Sequence, residues 1–499
     1  MTLSPHLIGE LFEAVQRRGV FEDSKTFVDT VPLDDPETIR RRFRERRTDA
    51  DFDLDTFVHR HFAVDDDRDR PDLLADRTME EHVRLLWGHL TYDPGEHSGS
   101  SLISLSDAYV IPGGRFRELY YWDSYFTAEG LAVSDRYDLI EGVLDNFASL
   151  VDRFGFVPTA NREYYTSRSQ PPLFYRTVDV LARERGVDGV RPYLDSLALE
   201  HRFWMDGEDE IDPWSAHRRT VRLDDAVLNR YWDDLAAPRK EAYREDVAVA
   251  DMADRPHTDV YRNVRAACES GWDFSSRWFE PGEGIESVHT TELVPVDLNA
   301  FLFGMERRLA VWFAETGHPG AAAEYEDRAA KRRRALDQRC WDADRGFYFD
   351  FRWTTRERTD RWTLAAVAPL FVGAASTEQA AAVAERLRGR FLAEGGLTTT
   401  LTESGEQWDR PNGWAPLHWM AVVGLERYGH GDLAAEVADR WLATNRTQFE
   451  RSGKMLEKYD VRDPTAEAGG GEYELQDGFG WTNGVALALI DRYSRNRTR

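Results

Sequence analysis

The chain has 499 residues, 41% hydrophobic and 12% aromatic, enough for a large buried core arranged as two or three domains or as one big helical or α/β barrel. A formal charge of −26 argues against nucleic acid or an anionic membrane as partner. Lysine is confined to Lys25, Lys240, Lys331, Lys454 and Lys458, with arginine in its place, a bias that fits a high-salt or GC-rich source without separating the two.

The opening segment, MTLSPHLIGELFEAVQRRGV, is amphipathic and lacks a long apolar stretch, which predicts no signal peptide. No run of about 18 apolar residues occurs, so a soluble, cytoplasmic protein without a spanning helix is expected; a monomer is expected as well. The segments DDPETIRRRFRERRTDADFD and VDDDRDRPDLLADR are charged and poor in apolar residues, so residues 1–100 read as an arm wrapped on the surface. From Ser101 the texture changes and no linker follows, so 101–499 is expected to form one domain. Helical periodicity then recurs. Leu139, Ile140, Val143, Leu144, Phe147, Leu150 and Val151 share one face, and Asp297 is placed to cap a helix with the stripe Leu298, Phe301, Leu302, Met305 and Leu309. Ser376 and Gln379 make a capping box, and further helices are expected over Trp414–Tyr428, Asp432–Thr444 and Trp481–Tyr493. Strand-like alternation is scarce. Antiparallel helices joined by long aromatic loops, with no repeat of fixed period, predict an all-α closed barrel of helix pairs. Cys268 and Cys340 lie far apart outside any CxxC pair, so neither a zinc site nor a disulfide framework is indicated.

Several loops share a mixture of aromatic, arginine, amide and carboxylate side chains. They are PGGRFRELYYWDSYF (112–126), NREYYTSRSQPP (161–172), LNRYWDDLAAPRKEAYRED (228–246), SGWDFSSRW (270–278) and QWDRPNGWAPLHW (407–419). MLEKYD, with Glu457, and GGGEYELQDGFGWTNGV, with Glu472, follow near the end. Singly, each has an ordinary reading: tryptophans pack cores, Arg–Glu pairs sit on surfaces, Gly469–Gly471 is a flexible loop, and Asp273 caps a helix started by Ser275 and Ser276. Together, aromatic planes for sugar-ring faces and directional groups for hydroxyls describe a neutral polyol site, in a chain without GxGxxG, GxxxxGK[ST] or HExxH. Glycoside hydrolysis needs two carboxyl groups across the scissile bond. Asp273, between Trp272 and Phe274, suits the protonated one; Glu457 suits the ionised one, although Lys458 beside it equally fits a surface pair.

PGGRFRELYYWDSY and QWDRPNGWAPLHW resemble the two signature stretches of the trehalases, the family 37 glycoside hydrolases. RSQPP, LNRYWD, SGWDFSSRW, PVDLN, EKYD and GGGEY…QDGFGWTNGV stand in that family's order, over roughly Ser101 to Ile490. The resemblance implies an (α/α)6 barrel of six inner and six outer helices and a cofactor-free, metal-free inverting hydrolase of α,α-trehalose. It puts the general acid on Asp273 and the general base on Glu457, with carboxyls about 6.5–9.5 Å apart. It puts substrate-binding arginines on Arg115, Arg168 and Arg239. Further contacts fall on Trp122, Asp123, Asn161, Ser169, Gln170, Glu241, Gly271 and Glu472, with Gln407, Trp408 and Trp414 lining the pocket. The glycine run before Glu472 is expected to act as a closing lid. Departures from the family pattern are Lys240 and Ala242 within PRKEA, Thr159-Ala160 ahead of Asn161, a short glycine run, and Cys268. Other (α/α)6 glycosidases share this chemistry on other α-glucosides, and a sugar-binding protein would keep the aromatics while losing a carboxylate.

Overall fold

The computed structural model describes residues 4–64, 77–94 and 100–497. Six helices close a ring. Tyr121–Val133 packs on Phe174–Arg185, then come Val296–Glu315, Ala368–Val372, Ala415–Arg427 and Gly480–Arg497, which returns to Tyr121–Val133. Met79–Leu90, which precedes them and so moves the barrel's start ahead of the expected boundary at 101, joins Tyr137–Phe154, Leu194–Trp204, Pro319–Arg339, Thr377–Arg386 and Gly431–Ser452, which run between them, in the outer layer of an (α/α)6 barrel. Composition separates the layers. Every residue from Tyr121 to Leu131, and from Val296 to Glu306, is buried, as a helix enclosed on all sides requires. Tyr137–Phe154 instead buries the stripe expected from its periodicity.

The ring closes where two helices touch through glycine. A Cβ added to Gly130 would stand 2.4 Å from the Gly484 Cα, and one added to Gly484 would stand 2.2 Å from the Phe126 carbonyl oxygen. No other residue permits that approach.

The Ser376–Gln379 capping box is present at Thr377–Arg386. The expected cap at Asp297 is a correction. Val296–Glu315 starts after Pro295, and Asp297 lies in its first turn, its two oxygens each 2.8 Å from the buried Arg277 guanidinium. Buried charge requires a counter-charge, and that demand outweighs the cap. One feature has little sequence signal: the antiparallel meander Ser215–His217, Thr220–Leu223 and Ala226–Asn229. Another strand pair matters for the site, since Asn412–Trp414 runs antiparallel to Lys458–Asp460 and brings QWDRPNGW beside EKYD.

Ahead of the barrel, the helices Gly9–Arg18, Ser24–Asp29, Pro36–Arg46 and Leu54–His61 gather Phe12, Phe27, Phe43 and Phe57 into a second apolar cluster, which takes in Tyr120, Tyr164, Tyr165 and Tyr243. Most of VDDDRDRPDLLADR lies outside the described residues.

Gly130→Ala or Gly484→Ala is expected to cost about 1–3 kcal/mol in denaturant unfolding, because the helices must part. Gly88→Ala, on an exposed helix position with nothing within 4 Å, is expected to add up to about 1 kcal/mol.

Candidate active site

Because inner and outer helices alternate, the inner six run parallel and present their N-termini at one end. Trp122 and Asp123 occupy the first turn of Tyr121–Val133, Gln170 precedes Phe174–Arg185, Trp414 flanks Ala415–Arg427 and Trp481 begins Gly480–Arg497. The loops singled out in the sequence meet there.

Asp273 sits on a segment held from every side. The helix His257–Glu269 ends at Glu269, whose buried carboxylate accepts from Arg219 and from the Ser169 and Trp232 amides, joining three loops. Gly271 turns the chain at φ +74°, where an added Cβ would lie 2.8 Å from the Trp122 indole. The Gln407 side chain then donates to the Asp273 carbonyl and the Trp408 amide to that of Phe274 (3.0 Å). Buried Asp409 accepts from the Ser275 hydroxyl (2.9 Å) and the Ser276 amide (2.8 Å). Beyond them Arg277 is fully buried between Asp297 and Asp350. The helix-cap reading of Asp273 passes to Ser275, whose Oγ accepts from the Arg277 amide at the start of a short 3-10 turn. Asp273 faces a cavity instead.

That cavity measures about 90 Å³. Of the residues expected at the site, Arg115, Arg168, Gln170, Arg239, Glu241, Asp273 and Glu472 line it. Each arginine is fixed by a carboxylate: Arg115 by Asp23 (2.7 Å), Arg168 by Glu241 (2.6 Å), and Arg239 by Asp246 (2.6 Å) and Glu472 (2.8 Å). Burial pushes the Asp273 carboxyl up to about 7, with Arg239 pulling down and Glu472 pushing up. Burial also disfavours ionised Glu241, yet Arg168, Arg239 and Arg265 hold it below the usual range.

Glu457 is 1% exposed and does not line the cavity as it stands. Its Oε1 accepts from the Tyr473 hydroxyl at 2.7 Å, while Oε2 has no hydrogen-bond partner among the described residues. Lys458 is no surface partner. It is 1% exposed, with Nζ 3.6 Å from Glu457 Oε2 and 2.7 Å from Gln407 Oε1, and burial lowers its pKa against the pull of Glu457. Asp123 and Tyr473 feel both Asp273 and Glu457: each is raised well above its ordinary range, by burial first and then by those two carboxyls.

The other expected residues stand behind the cavity wall. Trp408 stacks on Trp414 at 3.9 Å and on Trp272 at 5.4 Å, with Trp122 and Trp481 edge-on or tilted beside them. Asn161 commits its amide to the backbone, accepting from the Leu119 amide and donating to the Ile103 carbonyl. Ser169 donates its hydroxyl to the Val157 carbonyl. Gln407 links Lys458 to the Asp273 carbonyl.

Sequence reasoning missed the contribution of the arm. Glu22, Asp23, Ser24 and Lys25 line the cavity, and Lys25 is buried against Glu118 at 2.9 Å. Tyr473, Tyr165, Asp246 and Asp409 were also not singled out. The available signal was FEDSKTFVD, which holds one of five lysines and two phenylalanines within an otherwise charged region. Among the described residues no group of three or more His, Cys, Asp and Glu is arranged to hold a metal ion, and no helix is long and apolar enough to cross a membrane.

A carboxyl raised in the folded state holds its proton more tightly there than in the unfolded chain, so its contribution to stability is lost as pH rises from about 4 through about 7. Asp273→Asn is therefore expected to stabilise the protein by about 1–3 kcal/mol at pH 8 and to leave it unchanged at pH 4, read from unfolding curves at both values.

Comparison with known proteins agrees with this geometry. A protein-family model described as Trehalase matches residues 19–494. Among solved structures, the chain is similar to neutral trehalase Nth1 from Saccharomyces cerevisiae, with a TM-score of 0.64 and 24% identity over 84% of this chain and 80% of that one. It is also similar in fold to a GH63 mannosylglycerate hydrolase from Thermus thermophilus solved with glucose, with a TM-score of 0.58 and 18% identity over 83% of this chain and 100% of that one. The match of a single family model along nearly the whole chain, on a barrel whose aromatic and arginine-bearing loops converge at one mouth, means that this protein belongs to the trehalase family of glycoside hydrolases.

Proposed function

We propose that the protein hydrolyses α,α-trehalose with inversion, Asp273 acting as general acid and Glu457 as general base. The observation that carries the assignment is the Asp273 carboxyl, buried at a cavity walled by three anchored arginines and raised to about 7, so that it keeps a proton near neutrality. Asp273 gives that proton to the glycosidic oxygen as the C1–O bond breaks. Glu457 removes a proton from water, whose oxygen bonds C1 from the opposite face, yielding one β- and one α-glucose. The Tyr473 hydroxyl orients Glu457 through Oε1, leaving Oε2 as the acceptor for the water proton. Arg115, Arg168 and Arg239, already ordered by their carboxylates, donate to sugar hydroxyls with little further loss of side-chain entropy.

A cavity of about 90 Å³ cannot hold two sugar rings, since ligand pockets span roughly 300–1,000 Å³. This supports a reading in which the segment carrying Glu472 and Tyr473 closes the site and moves aside to admit substrate. Gly470 and Gly471, at φ +82° and +98°, supply the bend and press on the segment at Gly405–Gln407 so closely that a Cβ on either would clash.

Proton NMR of glucose anomers formed from trehalose is expected to show equal α and β forms before mutarotation; only α-glucose would mean retention and a different role for Glu457. Asp273→Asn and Glu457→Gln are each expected to lower kcat by at least about 10²–10⁴-fold while sugar binding persists. Turnover is expected to fall as pH rises through about 7, where Asp273 loses its proton. Asp23→Ala should release Arg115 and raise KM several-fold more than it lowers kcat.

A further inference from the structure

We propose that a second site, a receptor for a phosphate group, lies at the other end of the barrel. A cavity of about 550 Å³ opens there. Its lining includes Arg183 in the last turn of Phe174–Arg185, Gly373 just past Ala368–Val372, and Arg427 at the end of Ala415–Arg427, whereas the catalytic loops gather at the helix N-termini. In a chain of charge −26, its walls carry Arg176, Arg183, Arg307, Arg308 and Arg427 and one carboxylate, Asp179.

The charges do not cancel. Glu129 takes Arg183 through both oxygens, and Glu326 takes Arg307. Asp179 is shared, one oxygen 2.9 Å from Arg176 and the other 2.7 Å from Arg308. Arg427 makes no hydrogen bond or ion pair among the described residues, and its guanidinium lies beside Gly373. Two guanidinium charges are thus left over, which is the charge of a phosphate dianion.

Helix C-termini attract arginine on their own account, which accounts for the placement of Arg183 and Arg427. That does not explain why two guanidiniums share one carboxylate, nor the buried polar atoms left without partners: Nε of Arg176, Nε of Arg308 and the hydroxyl of Tyr175, itself 1% exposed. Arg176 is also held rigid by the Phe371 ring, 4.6 Å from its guanidinium carbon. The planar guanidinium fork suits phosphate oxygens, and Phe303, Val311 and Val372 leave an apolar wall for an organic remainder. The ligand is therefore inorganic phosphate or a phosphate monoester.

The test is titration calorimetry of the full-length protein at pH 8, with inorganic phosphate and with glycerol phosphate, against chloride at matched ionic strength. Saturable binding of either, not displaced by trehalose and weakened at least about tenfold in both Arg427→Gln and Arg308→Gln, is expected from the loss of one charge-assisted contact. Tighter binding of glycerol phosphate would identify a monoester; equal or weaker binding would identify free phosphate. Absence of binding beyond the chloride control would overturn the proposal, as would binding that trehalose displaces or that Arg427→Gln leaves unchanged. Arg427 is exposed and its replacement leaves the packing intact, so this arm stands even where Arg308→Gln fails to fold. None of the readouts depends on hydrolysis.

Discussion

The site rests on holding one carboxyl group in a place where water does not reach freely, on a segment that is neither helix nor strand. Left to itself such a segment would relax, turn Asp273 outward and lose the raised pKa. Two buried charges prevent this. Asp409 grips Ser275 and Ser276 from one side, and Arg277, clamped by Asp297 and Asp350, ties the same stretch to the first turn of Val296–Glu315. Breaking either clamp leaves an unpaired buried charge, which typically costs about 3–5 kcal/mol, so the segment has no alternative position of similar free energy.

The same logic extends outward. Every arginine at the cavity is bound to a carboxylate: Arg115 to Asp23 of the arm, Arg168 to Glu241, and Arg239 both to nearby Asp246 and to Glu472 far along the chain. The forked, permanently charged guanidinium can hold a protein partner and still keep further N–H donors free. Lys458 differs in being a point charge between Glu457 and Gln407, and burial weakens its hold on its proton.

Much of the barrel could be read from the chain, because helical period and apolar stripe are local properties; Tyr137–Phe154 buries the residues its spacing selects. The loops, too, could be singled out from their composition, and Arg115, Arg168, Arg239, Asp273 and Glu472 from them line one cavity. What local pattern could not show is which residue holds which. Asp297 looked like a cap because capping is a short-range rule, whereas its partner Arg277 is fixed only by the tertiary fold. Asp409 stood within a quoted motif, yet its grip on Ser275 and Ser276 depends on two loops meeting. The arm was read by average charge, which masked Phe12, Phe27, Phe43 and Phe57, each isolated among polar neighbours and united only in space.

That arm has its own small core, and its attachment includes Asp23 on Arg115, Lys25 on Glu118, and Asp29 on the Tyr164 hydroxyl and Arg162. The same junction is apolar as well as ionic, since Tyr120, Tyr164, Tyr165 and Tyr243 belong to the arm's cluster. Displacing the arm therefore removes Asp23, the counter-ion of Arg115, from the cavity wall without touching a contact between the barrel's inner helices.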